Sequence, residues 1–188
     1  MKGDLGIVVI HSADLGSFIW DELKLMLDIP VLAINFPNRN KGAKANANLP
    51  FEAYTKSVII IKQIEKWEKV KIILVLHSIG GCIGLKLNEH FKSNLAGFIA
   101  ISASLPPNGQ SFLSDLPFPK SILIPIILRL FGTKPPKKLI EKELCNDLTD
   151  EQAEKIVNNF TPKSRTLYTT KIRYKKPENK DALYKINQ

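Results

Sequence analysis

The stretch that most constrains this chain is Lys71 to Leu87, KIILVLHSIGGCIGLKL. Ile72 to Leu76 is a continuous apolar run of the kind that makes a strand buried on both faces. His77-Ser78-Ile79-Gly80-Gly81 then turns the chain sharply, and Cys82 to Phe91 reads as a helix. Such a turn lifts the Ser78 hydroxyl out of the sheet, and the two glycines leave room for the helix to come close. The helix N-terminus offers unpaired N–H groups and a positive dipole end to an oxyanion. The full pattern for a nucleophile at a strand-to-helix turn is G-x-S-x-G. Leu76 stands where its first glycine belongs, so the leucine must find space among small neighbours or distort the turn. An ordinary Ser-Gly-Gly loop, as in many nucleotide-binding folds, shares this local pattern.

The rest of the chain supplies the context. Leu5 to Ile10 reads as the first strand and ends at His11-Ser12-Ala13-Asp14. Trp20 to Leu27 is a helix with Trp20, Leu23 and Leu27 on one face. Pro30 stops it, and Val31 to Ile34 is a second short strand. Residues 35–50 are polar, carry Pro37 and Gly42, and read as a loop. A long helix is expected from about Phe51 to Trp67, with Tyr54, Val58, Ile61 and Ile64 as its buried stripe. After the central strand and helix, Ala96 to Ile101 forms another strand, ending in Ser102-Ala103-Ser104. Strand and helix alternate throughout, which predicts an α/β protein with a doubly wound, mostly parallel sheet and right-handed crossovers. Ligands of such sheets sit at the carboxyl ends of the strands. His11, Ser78 and Ser102 all fall just past strand ends.

After Leu105 the character changes. Residues 105–137 hold seven of the twelve prolines and the apolar segment Ile122 to Phe131. Proline at this density prevents a regular strand–helix–strand unit, and a lid over the strand ends fits the pattern; a loop with a short helix fits it too. Thr149 and Gln152 form a capping box for a helix whose stripe is Ala153, Ile156, Val157 and Phe160. Beyond Thr161 only Thr166 to Ile172 looks strand-like. The expected division is therefore a core over 1–104, a lid over 105–162 and a basic remainder of the core over 163–188.

The formal charge of +9 has to be located before it means anything. Residues 161–188 hold eight Lys/Arg against Glu178 and Asp181, a net of +6, which leaves +3 for the rest. This tail has no glycine-rich or aromatic single-strand platform and no DNA-binding motif, so no nucleic-acid partner is expected. Two cysteines, Cys82 and Cys145, make neither a disulfide framework nor a metal-ligand spacing. No metal and no cofactor are expected, and a reducing, cytoplasmic location is the default. The apolar run Ile122 to Phe131 is broken by Pro125 and Arg129 and falls short of the roughly 20 residues of a membrane span.

His-small-Ala after the first strand, a Trp on the first helix, FEAYTK, ILVLHSIGG, AGFIAISASLP and CNDLTDEQA follow one another in an order that resembles the α/β-hydrolase superfamily. Within it, the resemblance is to the plant methyl esterases and hydroxynitrile lyases with their bacterial relatives, and it covers most of residues 5–170. It implies Ser78 as the nucleophile and the Ala13 and Ile79 N–H groups as the oxyanion hole. His11, Ser12 and His77 would shape the substrate site, Ser12 standing where the family has glycine. Family members carry Asp-Lys-Ala-Ile/Leu after the lid, which makes Asp181 of Lys180-Asp181-Ala182-Leu183 the candidate acid, one position out of register.

A serine needs a general base, and the resemblance implies a histidine after the acid. The chain has only His11, His77 and His90. It therefore reads as C-terminally truncated, its last strand and helix missing, with a sheet edge and an apolar face exposed, through which copies could associate. The expected activity is hydrolysis of a small apolar carboxylic ester, the alternatives being a non-catalytic hydrolase-like binding module, an inactive fragment and a hydroxynitrile-lyase-type enzyme.

Overall fold

The computed structural model describes residues 4–39, 41–56, 71–91, 94–175 and 183–186. Four strands form where the sequence has its unbroken apolar runs: β1 (Leu5–Ile10), β2 (Val31–Ile34), β3 (Lys71–His77) and β4 (Leu95–Ile101). A fifth, β5 (Leu183–Ile186), joins them. The sheet order is β2-β1-β3-β4-β5 and every pairing is parallel. Ile10 lies opposite both Ile34 and Leu76, so the carboxyl ends of β1, β2 and β3 are level.

Side chains alternate across a strand, and the two faces bury two different sets. Val8, Ile10, Leu74, Leu76, Phe98 and Ala100 face the larger core, built with helix α3 (Phe51–Thr55) and helix α4 (Gly80–Phe91). Ile7, Val9, Val75, Ile99 and Ile101 face the other way, onto Trp20, Leu23 and Leu27. Trp20 ends a 3-10 turn, Ser17–Trp20, that leads into helix α1 (Asp21–Met26). Helices on both faces of a parallel sheet make the doubly wound arrangement that strand–helix alternation predicts.

The structure departs from these expectations at three places, and one expected helix is described only at its start. Residues 35–50 are not all loop. A five-residue helix, α2 (Gly42–Asn46), sits among them without an apolar stripe to announce it. Of the helix expected from Phe51 to Trp67, α3 is described, with Tyr54 fully buried, whereas Val58, Ile61 and Ile64 lie outside the described residues. Thr166 to Ile172 is not a strand but a turn of helix, α8 (Thr166–Thr169), followed by extended chain. The Tyr168 and Thr169 N–H groups both donate to the Arg165 carbonyl and the Thr170 N–H to the Thr166 carbonyl, which closes a helical turn with Leu167 and Tyr168 buried. The strand near the carboxyl end is instead β5, which the polar final residues do not announce.

Between β4 and β5 the chain is helical: a 3-10 turn at Phe112–Asp115, then α5 (Lys120–Leu130), α6 (Lys137–Leu144) and α7 (Asp150–Asn158). The capping box of α7 forms as its sequence demands. The Thr149 hydroxyl accepts from the Gln152 N–H at 3.3 Å, and the Gln152 side chain accepts from the Thr149 N–H at 3.1 Å. Pro125 sits inside α5. Among the described residues no helix is long and apolar enough to cross a membrane.

Candidate active site

Ser78 follows β3 directly and has φ 54°, in the left-handed region that a non-glycine residue enters at a cost. Its carbonyl accepts hydrogen bonds from the Gly81 N–H at 3.1 Å and the Ser104 N–H at 2.9 Å. The turn is thus tied to its own helix and to the loop after β4. Two glycines are required here by close approach. A Cβ on Gly80 would lie 2.9 Å from the Ile10 carbonyl oxygen, and one on Gly81 would lie 2.2 Å from the Ser104 carbonyl oxygen. Helix α4 therefore starts hard against the loops that follow β1 and β4, and Ser78 stands between them.

The β1 loop carries His11, Ser12 and Ala13. His11 is fully buried against Phe36, with ring centroids 4.3 Å apart. Its Nε2 accepts from the Phe36 N–H at 3.3 Å, which fixes the tautomer with the proton on Nδ1, 2.5 Å from the Ser12 carbonyl oxygen. Burial pushes its pKa down to about 3, against a smaller opposite pull from the Ser12 carbonyl. His11 is a neutral brace for the loop. Among the described residues, neither the Ala13 nor the Ile79 N–H donates a hydrogen bond.

His77 shares the strand parity of Ile73 and Val75 and so faces Trp20, edge to face at 6.5 Å. Burial lowers its pKa. His90 lies twelve residues along α4 from Ser78, its ring against Phe91 at 4.9 Å; at about 1.5 Å per residue that is roughly 18 Å of helix. Asp181 lies outside the described residues. The Cys82 thiol, four residues past Ser78, is buried, points at Ser104 and is pushed up to about 12, so it supplies no thiolate.

A buried polar cluster lies beside Ala13. Asp14 Oδ2 accepts from the Tyr168 hydroxyl at 2.8 Å, while Asp14 Oδ1 is buried with no partner among the described residues. Burial raises its pKa to about 7, against the opposite pulls of Tyr168 and Lys163. Lys163 is 1% exposed and its Nζ finds no hydrogen-bond partner among the described residues. Burial lowers it to about 8 while Asp14 pulls it back up. Asp14 and Tyr168 are among the residues lining an apolar cavity of about 160 Å³, with Ile124, Leu128, Ile140 and Phe160, whereas Ser78, Ala13 and Ile79 do not line it. Nothing in the loop around Asp14 signals this cluster, because Tyr168 lies 154 positions away. Asp115 has a structural duty, its Oδ2 accepting from the Ser104 hydroxyl at 2.8 Å and the Leu105 N–H at 2.9 Å. Among the described residues no group of three or more His, Cys, Asp or Glu could hold a metal ion.

This parallel sheet, with its serine in a strained turn between the central strand and the following helix, is the α/β-hydrolase fold. Several solved structures share this fold. An extracellular α/β-hydrolase from a Paenibacillus species, described as sharing structural and functional homology with tobacco salicylic acid binding protein 2, superposes with a TM-score of 0.80 at 22% identity. The match covers 96% of this chain and 76% of that one. Polyneuridine aldehyde esterase matches with a TM-score of 0.66 at 19% identity, over 87% of this chain and 71% of that one. Tomato methylketone synthase I, complexed with β-ketoheptanoate, matches with 0.65 at 17%, over 85% and 67%. No family model matches the chain, and no curated protein is significantly similar to it in sequence.

Proposed function

We propose that the chain is a serine-type hydrolase of carboxylic esters, with Ser78 as the nucleophile. The observation that carries this reading is the Ser78 backbone, held at φ 54° by two hydrogen bonds to its carbonyl and enclosed by glycines that admit no side chain. Strain of this kind persists where the surroundings over-determine it, and it exposes the hydroxyl at the strand ends. The Ser78 oxygen attacks the ester carbonyl and forms the tetrahedral intermediate. The N–H groups of Ala13 and Ile79, which have no acceptor among the described residues, receive its oxyanion. Collapse breaks the carbon–alkoxide bond, the alkoxide takes up the proton that the Ser78 hydroxyl gave up, and an acyl-serine is left for water to hydrolyse. His11, Ser12 and His77 shape the walls and the loop. Asp181 is the acid of this reading, and α5 to α7 form a lid over the strand ends. The apolar cavity bounded by Asp14 and Tyr168 is suited to a small hydrophobic acyl or alkyl group.

A second reading has an observation of its own. His11 is buried and bonded to Phe36, the half-buried His77 turns toward Trp20, and His90 lies far along α4, so none is placed as a base for Ser78. A non-catalytic module that binds a small apolar ligand at the same strand ends fits that fact. A fluorophosphonate probe read by mass spectrometry separates the two. Labelling of Ser78, lost in Ser78→Ala, is the expected result for the hydrolase. An unlabelled Ser78 in protein shown to be folded by circular dichroism would leave the binding module.

A further inference from the structure

Helix α5 is apolar almost all round, yet only part of it is covered. Leu128 enters the main core and Ile124 packs against it. The opposite side faces solvent: Ile122 is 55% exposed, Ile126 47% and Leu130 69%, an i, i+4, i+8 stripe, with Leu123 beside it at 50%. Phe118 just before the helix is 81% exposed and Phe131 just after it 51%. Six of the ten large hydrophobic side chains exposed among the described residues thus fall within fourteen positions, where scattered single ones would need no explanation.

Along the sequence that carries this patch the charge has one sign. From Leu116 to Ile140 there is no acidic residue and there are five basic ones, Lys120, Arg129, Lys134, Lys137 and Lys138, all exposed. Lys137 meets Glu141 at 3.7 Å, just beyond that span. A second copy of this chain would bring the same five bases to the contact and be repelled. A nucleic acid would satisfy the bases and leave the aliphatic stripe in water. We propose that the exposed face of α5, with Phe118 and Phe131 at its ends, docks on an anionic lipid bilayer. At about 16 Å the helix is too short to span and lies in the interface plane. Its apolar stripe sinks below the headgroups, and the bases meet lipid phosphates and carboxylates, each worth about 1 kcal/mol near such a surface. Ile124, Ile127 and Leu128 of the same helix wall the apolar cavity. One helix therefore separates the bilayer from that cavity. The docking itself does not depend on Ser78.

Vesicle co-sedimentation of the purified chain tests this, using phosphatidylcholine alone and phosphatidylcholine with about one-third phosphatidylserine. Binding to the anionic vesicles is expected to be at least about tenfold stronger, and to fall when salt is raised to roughly 0.5 M. Ile122→Ser with Ile126→Ser, and separately Lys134→Glu with Lys138→Glu, should each weaken it about tenfold or more. Lys171→Glu with Arg173→Glu, in the basic tail, should change it less than about twofold. Circular dichroism of each variant shows that the fold is retained, as exposed polar substitutions allow. No anionic-vesicle binding overturns the proposal. So does binding that only the tail variant abolishes. A dimer in sedimentation equilibrium that Ile126→Ser dissolves, without vesicle binding, overturns it in favour of a contact between copies.

Discussion

Leu76 and Gly84 share a space that only one of them can fill. Leu76 is fully buried, and a Cβ on Gly84 would lie 2.3 Å from its Cδ1 and 2.7 Å from its Cδ2. The leucine that stands where the nucleophile turn normally has glycine is therefore accommodated from the helix, by a glycine six residues past Ser78, and the turn keeps its shape.

Gly84→Ala should accordingly destabilise the protein by about 1–3 kcal/mol, because overpacking outweighs the roughly 1 kcal/mol that alanine gains over glycine inside a helix. Leu76→Ala alone should cost about 2–5 kcal/mol through its cavity. Combined, the two should cost less than their sum, with a coupling of about 0.5–3 kcal/mol. Urea unfolding of the four proteins measures this, and strict additivity would sink the pairing.

The loop after β4 is clamped to the turn in a way that allows no such relief. The atom that a Gly81 Cβ would strike is the Ser104 carbonyl oxygen, which is backbone, and the Ser104 N–H is bonded to Ser78. Gly81→Ala should cost more than about 2 kcal/mol and abolish any labelling of Ser78. Gly97→Ala, whose Cβ would sit 3.4 Å from Ile73 side-chain atoms, should stay within about 1 kcal/mol of the parent. Equal thermal midpoints for the two variants would contradict the clamp.

The parts of the fold that were legible in the sequence are those where burial is continuous. β1, β2, β3 and β4 announce themselves because both faces are covered, and α7 because a capping box is a local, reciprocal pattern. α8 was not legible. Its helical turn is set by partners distant in sequence: Tyr168 reaches Asp14, Thr166 reaches the Leu49 carbonyl and Arg165 reaches the Leu128 carbonyl. α2 lacks an apolar stripe, and β5 is a short run among charges. At the site, Ser78 and its glycines were legible because turn chemistry is local. The Asp14–Tyr168 contact joins residues 154 positions apart, and nothing near Asp14 in the chain indicates that its carboxyl is enclosed.

That carboxyl gives the protein an unusual pH dependence. The pKa of Asp14 rises from 3.8 to about 7 on folding, so between those values the folded state keeps a proton that the unfolded chain loses. Stability from this group is full below about 3.8 and is lost as pH rises through about 7. His11 falls from 6.5 to about 3, so its contribution is full above 6.5 and is lost as pH falls through about 3. The two slopes oppose each other between about pH 4 and 6.5. Asp14→Asn removes one of them, and its unfolding free energy should then rise with pH across this window more steeply than the parent's, by up to about 1.4 kcal/mol per unit. Parallel urea midpoints for parent and variant across the window would show that Asp14 is ionised normally.

Arg39 joins the loop after β2 to the loop after β1 and to the end of α7. Its guanidinium donates to the Leu15 carbonyl at 2.6 Å and the Asn159 carbonyl at 3.3 Å, and stands 5.3 Å from the Phe18 ring centroid. It also lies directly on Gly16, where a Cβ would fall 2.2 Å from Cζ. The far end of an arginine moves at little steric cost, so the penalty of Gly16→Ala should be that of losing the arginine's contacts, about 1–2 kcal/mol. Arg39→Ala should cost about the same, and Gly16→Ala added to it should cost almost nothing further. Arg39→Lys should not restore the loss, because one ammonium cannot reach both carbonyls and cover a ring. Leu15 and Gly16 continue the loop that carries Ala13, so both single variants should also slow any labelling of Ser78. Additive losses in stability from Gly16→Ala and Arg39→Ala would mean that the glycine is needed for its own backbone, and that the arginine does not hold the loop.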